Sequence, residues 1–540
     1  MKKVLFNGKI YLSRDQFAQA VCFEDEIILK TGSNDAVLAF AGDCEAVDLQ
    51  GRTIIPGLND SHLHITMVGE HMAQAAIGGS RSIDEVVARC TAFMQDNPEL
   101  CRHGLRATGW NQDLFTSGEI RTLNRHDLDR ISTEVPVVLA RICGHILAAN
   151  TRAIEMAGLG IGAPQIAGGT FGLEPDGFPD GFFSEFACGA VSSLIPGLSD
   201  DQIMALTLKA LDYCAAHGLT SIQSNDIGQC SMGDDKTFAM LQRIYSGGGG
   251  KVRYRHQLCF RTADDFRSFL ETEHKNGVYD NPNWLDLGPL KLFKDGSLGA
   301  RTATMRTEYV DDPGNFGVEA MSGPLMDEMV ALAAEHSIQV ITHAIGDKAI
   351  CDVLDSYEKV LAGGHNPLRH SVVHYQCVDE EILTRTARLD VLAQVQPIFL
   401  TTDLHAVPSR FPDSANRWFL AFKSYLEKGI TVAFGSDCPV EDCNPFLGLY
   451  CAVTRRDVSG YPSEGFFPKE CLDVATAIDC FTVGSAAAEF KEHIKGRIAE
   501  GMLADMVVLD RDIFTCDPSE IKDILPVETI AGGRTVYKAQ

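Results

Sequence analysis

Eight short runs of apolar and β-branched residues recur through the middle of the chain, and a stretch with helical spacing follows most of them. They are TIIPGLNDSHLH (53–64), LTSIQSND (219–226), VRYRHQLCF (252–260), LGPLKLFKDG (287–296), IQVITHAIGD (338–347), HSVVHYQ (370–376), VLAQVQP (391–397) and TVAFGSD (431–437). Strands that alternate with helices build a parallel sheet. Eight of them with polar C-terminal ends predict an α/β fold of the (β/α)8 TIM-barrel type, with its site at those ends. Around the fifth run, LMDEMVALAAEHS and DKAICDVLDSYEKVLAGG carry apolar residues at helical spacing, and the second closes on Gly-Gly.

The two ends of the chain read differently. VLFNGKIYL, AVCFEDEIILKTG and AVDLQGRTIIPG near the start, and LADMVVLD and ETIAGGRTVYK near the end, are short β segments broken by Gly, Asn or Asp. Neither set closes a sheet comfortably alone. Residues 1–55 and 490–540 are therefore expected to pair into one small β-sandwich that brackets a barrel at 56–489. Residues 70–215 are too long for a loop between the first and second strands, and they are expected to form an inserted subdomain acting as a substrate lid.

Charge and cysteine usage exclude several classes of partner. The 540 residues carry 47 basic against 73 acidic side chains, a net charge of −26 with no like-charge block, which repels phosphate backbones and anionic lipid. Nucleic acid and membrane surfaces are thus not expected as partners. The apolar stretch after Met1-Lys2-Lys3 is too short for a signal peptide, and the run from Val135 to Asn150 is interrupted by Arg141 and His145. Seventeen cysteines without a C-x-x-C pair fit reduced thiols, so a cytoplasmic location is expected.

The chemistry gathers at strand ends. His62 and His64 flank Leu63, and on an extended strand both imidazoles point to one face, as two ligands of one metal require. His343, His374 and Asp437 each end another of the runs. Five ligand-type residues ending four strands of one barrel converge in space. Lys291 lies within the fourth run and shares a face with Phe293, while Lys294 lies on the other; pattern alone leaves open which faces the interior. On the insertion, Trp110 beside Asn111 and Gln112 is either a pocket wall or a hydrophobic anchor, and His145 is a further specificity candidate. Arg301, after the GSLGAR loop, is placed to meet a substrate carboxylate or a loop carbonyl. Cys438, directly after Asp437, is read as a buried thiol.

Taken in order, PGLNDSHLH (56–64), GW with Gln112 (109–112), GH-x-x-x-x-N (144–150), GGTFGLEPDGFPDG (168–181), LKLFKDGSLGARTA (290–303), HAIGDKA (343–349), VQP (395–397), GSDCPVEDCNP (435–445) and G-x-LADMVVLD (501–510) carry a resemblance that spans nearly the whole chain. The sequence resembles the amidohydrolase superfamily, and within it the amidohydrolase-3, YtcJ-like branch that includes N-substituted formamide deformylases. The resemblance implies one or two divalent metals, usually zinc. His62 and His64 would hold the buried ion, Lys291 would bridge as a carbamate, and His343 and His374 would hold the second ion. Asp437 would serve as ligand and catalytic base beside His374. The family places this lysine four residues before the aspartate of D-G-S-L-G, here Asp295, which selects Lys291 over Lys294. The chain departs from the family pattern at Val373, Cys143 and Asn111, none of them a proposed ligand.

The implied reaction is hydrolysis of a C–N bond in a small-molecule amide, N-acyl or N-formyl. Water made acidic by the metal attacks, and Asp437 carries its proton to the leaving nitrogen. A deaminase of a cyclic amidine or nucleobase-like substrate, and a non-catalytic regulatory protein on the same fold, are the alternatives. The resemblance also implies a homo-oligomer.

Overall fold

The structure is a computed structural model that describes residues 2–142, 145–272, 281–411 and 416–540. Every one of the eight runs contains a strand of one sheet: β1 (Leu58–Leu63), β2 (Leu219–Ile227), β3 (Arg253–Cys259), β4 (Leu290–Phe293), β5 (Val340–Ala344), β6 (Ser371–His374), β7 (Leu392–Val395) and β8 (Val432–Phe434). Their spatial order is their sequence order, and each pairs parallel with the next. The ring closes just beyond the strand ends, where Asp437 N donates to His62 O and His64 N to Cys438 O, both at 2.8 Å. All residues of β2 and β3 are buried, as strands must be when helices cover one face and a packed barrel interior the other.

The N-terminal end of the barrel is stoppered by the segment that carries Ala487, Ala488 and Glu489. Gln339 Nε2 donates to Ala488 O at 2.9 Å, Arg369 donates to Ala487 O, and Asn59 Nδ2 reaches Glu489 Oε1 at 2.6 Å. The opposite, C-terminal end carries the buried polar residues His62, His64, His374 and Asp437.

The chain termini share a sandwich. One sheet runs Ile27–Gly32, Ala20–Glu24, Lys2–Phe6, Glu45–Asp48; the other runs Arg534–Lys538, Pro526–Ala531, Met506–Leu509, Thr53–Pro56, Lys9–Ser13, Gln16–Ala18. Val507 lies opposite Ile55 in an antiparallel ladder, so the last segment of the chain completes a sheet begun by the first. Leu5, Val21, Phe23, Ile54, Met506 and Val508 fill the core between the two sheets. This burial supplies what neither terminal segment has alone.

The chain divides into two compact units, Met1–Val68 with Thr207–Gln540, and Gly69–Leu206. The second contains a five-stranded mixed sheet ordered Gly169–Leu173, Pro179–Glu185, Ile146–Ala149, Val137–Arg141, Leu105–Trp110. Its helix Ile83–Asp96 starts at Ser82, whose side chain accepts from Glu85 N and satisfies one of the free donors of the first turn. Among the described residues no helix is long and apolar enough to cross a membrane.

Candidate metal centre

The alternation of β1 sends His62 and His64 to one side, and Asp437 follows β8 across the seam of the barrel. The Nε2 atoms of both imidazoles lie 3.2 Å from Asp437 Oδ1. All three residues are buried, and their ligand atoms sit within 4.8 Å of one another, a span that a divalent ion can bridge.

The backbone is shaped around this convergence. Asp437 and His374 both adopt left-handed conformations, with φ of 60° and 75°, a region that costs a non-glycine residue energy and clusters at functional sites. Asp60 ties the β1 and β8 motifs together: its Oδ1 accepts from His62 N at 3.0 Å and Ser436 N at 3.1 Å, and its Oδ2 from Ser436 Oγ at 2.6 Å. Burial lifts the Asp60 carboxyl to about 7. Gly435 is required at this crossing, because a Cβ there would meet Asp60 Oδ1 at 2.7 Å and His62 N at 2.8 Å.

Each histidine on the ring interior is held by its far nitrogen. His62 Nδ1 donates to Gln257 Oε1 at 2.6 Å, His64 Nδ1 to Asn225 O at 2.9 Å, and His374 Nδ1 to Gln396 Oε1 at 2.8 Å. With Nδ1 carrying the hydrogen, each Nε2 faces the centre as the remaining donor atom, which is how outer partners set the tautomer of metal-binding imidazoles. Burial, reinforced by the charge of Lys291, holds His62 down to about 4. His374 is likewise held well below the ordinary histidine range by burial and by His343. His64 is the exception: burial pushes it down, but the Asp437 carboxylate outweighs burial and raises it. Asp437 sits well below the usual carboxylate range because its bonds to His62 and His64 overcome the cost of burial.

His343 joins the cluster through its ring, whose centroid lies 4.4 Å from that of His374. Its Nε2 is committed to Gly296 O at 3.0 Å, which leaves Nδ1 as the atom able to bind a ligand. The two lysines separate cleanly. Lys294 is tied to Glu319 and donates to Met321 O at 3.0 Å. Lys291 is fully buried, its Nζ has no hydrogen-bond partner among the described residues and lies 3.8 Å from the centre of the Phe293 ring, and burial lowers it to about 8. Asp295 clamps the loop after β5, accepting from Ile345 N, Gly346 N and Thr304 N.

The specificity candidates have partners of their own. Trp110 has no exposed surface, packs in the core of the inserted unit and donates from Nε1 to Leu139 O at 3.1 Å, the position of an anchor. Gln112 Oε1 accepts from Arg141 Nε at 2.9 Å, and the exposed His145 pairs with Glu185 at 3.2 Å. Arg301 pairs with Asp311 at 2.8 Å. Cys438 is buried, Asn111 Oδ1 accepts from Arg141 Nη2 at 2.9 Å, and Val373 is buried on β6. Cys143, with Gly144 of the GH motif, lies outside the described residues. Asp60, Asn225, Gln257 and Gln396 hydrogen-bond to the cluster and were not singled out from the sequence. Gln257 and Gln396 each lie within or beside a strand run, yet nothing in their local pattern marks them.

The donor set fits a divalent cation: two neutral imidazole faces, an imidazole paired with a carboxylate, and a buried amine with no hydrogen-bond partner among the described residues, all at the C-terminal end of the barrel. Residues 45–537 match the family model described as Amidohydrolase family. The putative amidohydrolase YtcJ of Bacillus subtilis is 32% identical over all of both chains. N-substituted formamide deformylase of Arthrobacter pascens is 24% identical over 97% of this chain and 96% of its own. An uncharacterised metal-dependent hydrolase from Pyrococcus furiosus superposes with a TM-score of 0.75 at 25% identity, covering 95% of this chain and all of that one.

Proposed function

This chain belongs to the Amidohydrolase family, and from that premise we propose that it is a metal-dependent hydrolase that cleaves the C–N bond of a small N-acyl or N-formyl amide. The observation that carries the reading is the convergence of His62, His64 and Asp437 at the end of the barrel where such folds place their chemistry. The full-length similarity to N-substituted formamide deformylase supports the choice of bond.

His62, His64 and Asp437 would hold the ion, with Lys291, His374 and His343 Nδ1 available for a second. Such a cation supplies a water acidic enough to ionise near neutral pH and polarises a carbonyl. The chain's own residues do the rest. Gln257, Asn225 and Gln396 hold the imidazole faces inward, so no reorganisation is needed when substrate arrives. Asp437 takes a proton from the attacking water and passes it to the departing nitrogen, which makes the amine a competent leaving group. Lys291, lowered to about 8 by burial, is neutral for part of the time at physiological pH, and a neutral amine can add CO2 and release a proton to water to become an anionic carbamate, which would serve as a ligand.

Elemental analysis of the purified chain beside a His62→Ala, His64→Ala double variant tests the centre, and a screen of N-formyl and N-acyl amides for amine release tests the reaction. Near-stoichiometric zinc or a related divalent metal in the parent, lost in the variant, together with amine release, is the expected result. Equal metal in both proteins would refute the assignment of the site, and ammonia release from a cyclic amidine in place of amine release would refute the bond.

A further inference from the structure

Far from the metal centre, at the stoppered N-terminal end of the barrel, four cationic side chains line one small cavity: Arg253 and Arg255 from β3, and Lys491 and Lys495 from the stopper segment. Three of them are compensated. Arg253 pairs with Asp505 at 2.8 Å, Lys491 with Asp286 at 3.1 Å, and Lys495 with Glu489 at 2.6 Å. Arg255 is not. Among the described residues its guanidinium makes one long hydrogen bond, Nη1 to Ala488 O at 3.4 Å, and its Nε meets no acceptor at all.

Arg255 is only 8% exposed, and a guanidinium stays protonated in a protein. A buried guanidinium with an unmet donor is costly, and the carboxylates that act on it, Glu489 and Asp286, lie beyond ion-pair distance and are themselves paired with the lysines. The cavity is small, with about 10 Å³ of room, the space of one water-sized or monatomic ligand. Its partly exposed edge at Lys491 and Asp286 gives access from solvent.

We propose that this cavity binds a single halide ion, held by the Arg255 guanidinium, which supplies the acceptor that this guanidinium lacks and locks β3 to the stopper segment. The site is structural: it stabilises the barrel and takes no part in hydrolysis, so it stands or falls independently of the metal centre.

The test is thermal unfolding of the full-length protein in sodium chloride, bromide or gluconate at matched ionic strength, with a crystal grown in bromide as the second measurement. Gluconate is too bulky to enter. The expected result is a Tm that rises and saturates with chloride and bromide, stays flat in gluconate, and loses its halide increment in Arg255→Met. With halide at 100 times its Kd, the unfolding equilibrium shifts by about 100-fold. An anomalous bromide peak within hydrogen-bond reach of Arg255 would establish the site even if the variant fails to fold. Equal Tm values in all three salts, a halide increment that survives in Arg255→Met, or a water without bromide signal at that position would overturn the proposal.

Discussion

Replacing Gln257 by leucine removes the acceptor that orients His62 without touching a ligand atom. The 2.6 Å bond from His62 Nδ1 to Gln257 Oε1 fixes which nitrogen carries the hydrogen and how the ring is turned. Loss of such an outer partner weakens metal binding by about 10–100-fold. That range corresponds to about 1.4–2.7 kcal/mol of binding free energy. A second cost is separate: Gln257 Nε2 donates to Ser61 O at 3.0 Å, and leaving that carbonyl unpaired in the barrel removes about 1–3 kcal/mol of folding stability. Chelator competition near neutral pH reads the first effect, and urea unfolding in excess chelator reads the second. Gln257→Glu keeps an acceptor opposite Nδ1, so its metal affinity is expected to match or exceed that of the parent. A folded Gln257→Leu protein that binds metal within threefold of the parent would refute the reasoning, because the ring orientation would then be set by packing alone.

Asp437→Asn is expected to lower kcat by about 10²–10⁴-fold while metal remains bound, measured by turnover beside elemental analysis; turnover at the parent rate would exclude the residue as the proton carrier. Burial holds His370 down to about 4, and Val340 N donates to its Nδ1 at 3.0 Å. The unfolded chain binds that proton at about 6.5. Below that pH the unfolded state holds more protons than the native one, so a contribution of at most about 3 kcal/mol, present above pH 6.5, is lost progressively as pH falls toward 4. His370→Asn, which retains an acceptor for Val340 N, is expected to flatten that part of the stability profile in urea titrations. Trp110→Ala should cost about 3–5 kcal/mol by opening a void in the inserted unit, seen as a lower Tm with metal content unchanged.

How far the site could be read in advance depended on sequence distance. His62 and His64 share a face because a strand alternates, and that alternation is local. Asp437, His343 and His374 were legible because each ends a run that reads as a strand, and strand ends of a barrel meet. Gln257 was not legible. It stands 195 residues from His62, and one amide on a buried strand looks like any other until the ring brings it opposite an imidazole nitrogen. The same holds for Gln396 behind His374. Trp110 showed a converse ambiguity: a tryptophan beside polar residues reads equally as pocket wall or anchor, and only its complete burial against Leu139 assigns it to the core.

By itself, the amino-acid order determined the eight parallel strands, the sandwich built from both ends of the chain and the position of the ligand-type residues, because periodicity and chain polarity are local properties. Tertiary structure decided matters that depend on which atoms meet across the ring. It turned Lys291 inward with no hydrogen-bond partner among the described residues, and Lys294 outward to Glu319. It set the imidazole tautomers through Gln257, Asn225 and Gln396, and it left Arg255 at the barrel floor without an ion pair among the described residues. Those outcomes rest on desolvation and hydrogen-bond pairing between residues far apart in the chain, and neither exists until the barrel closes.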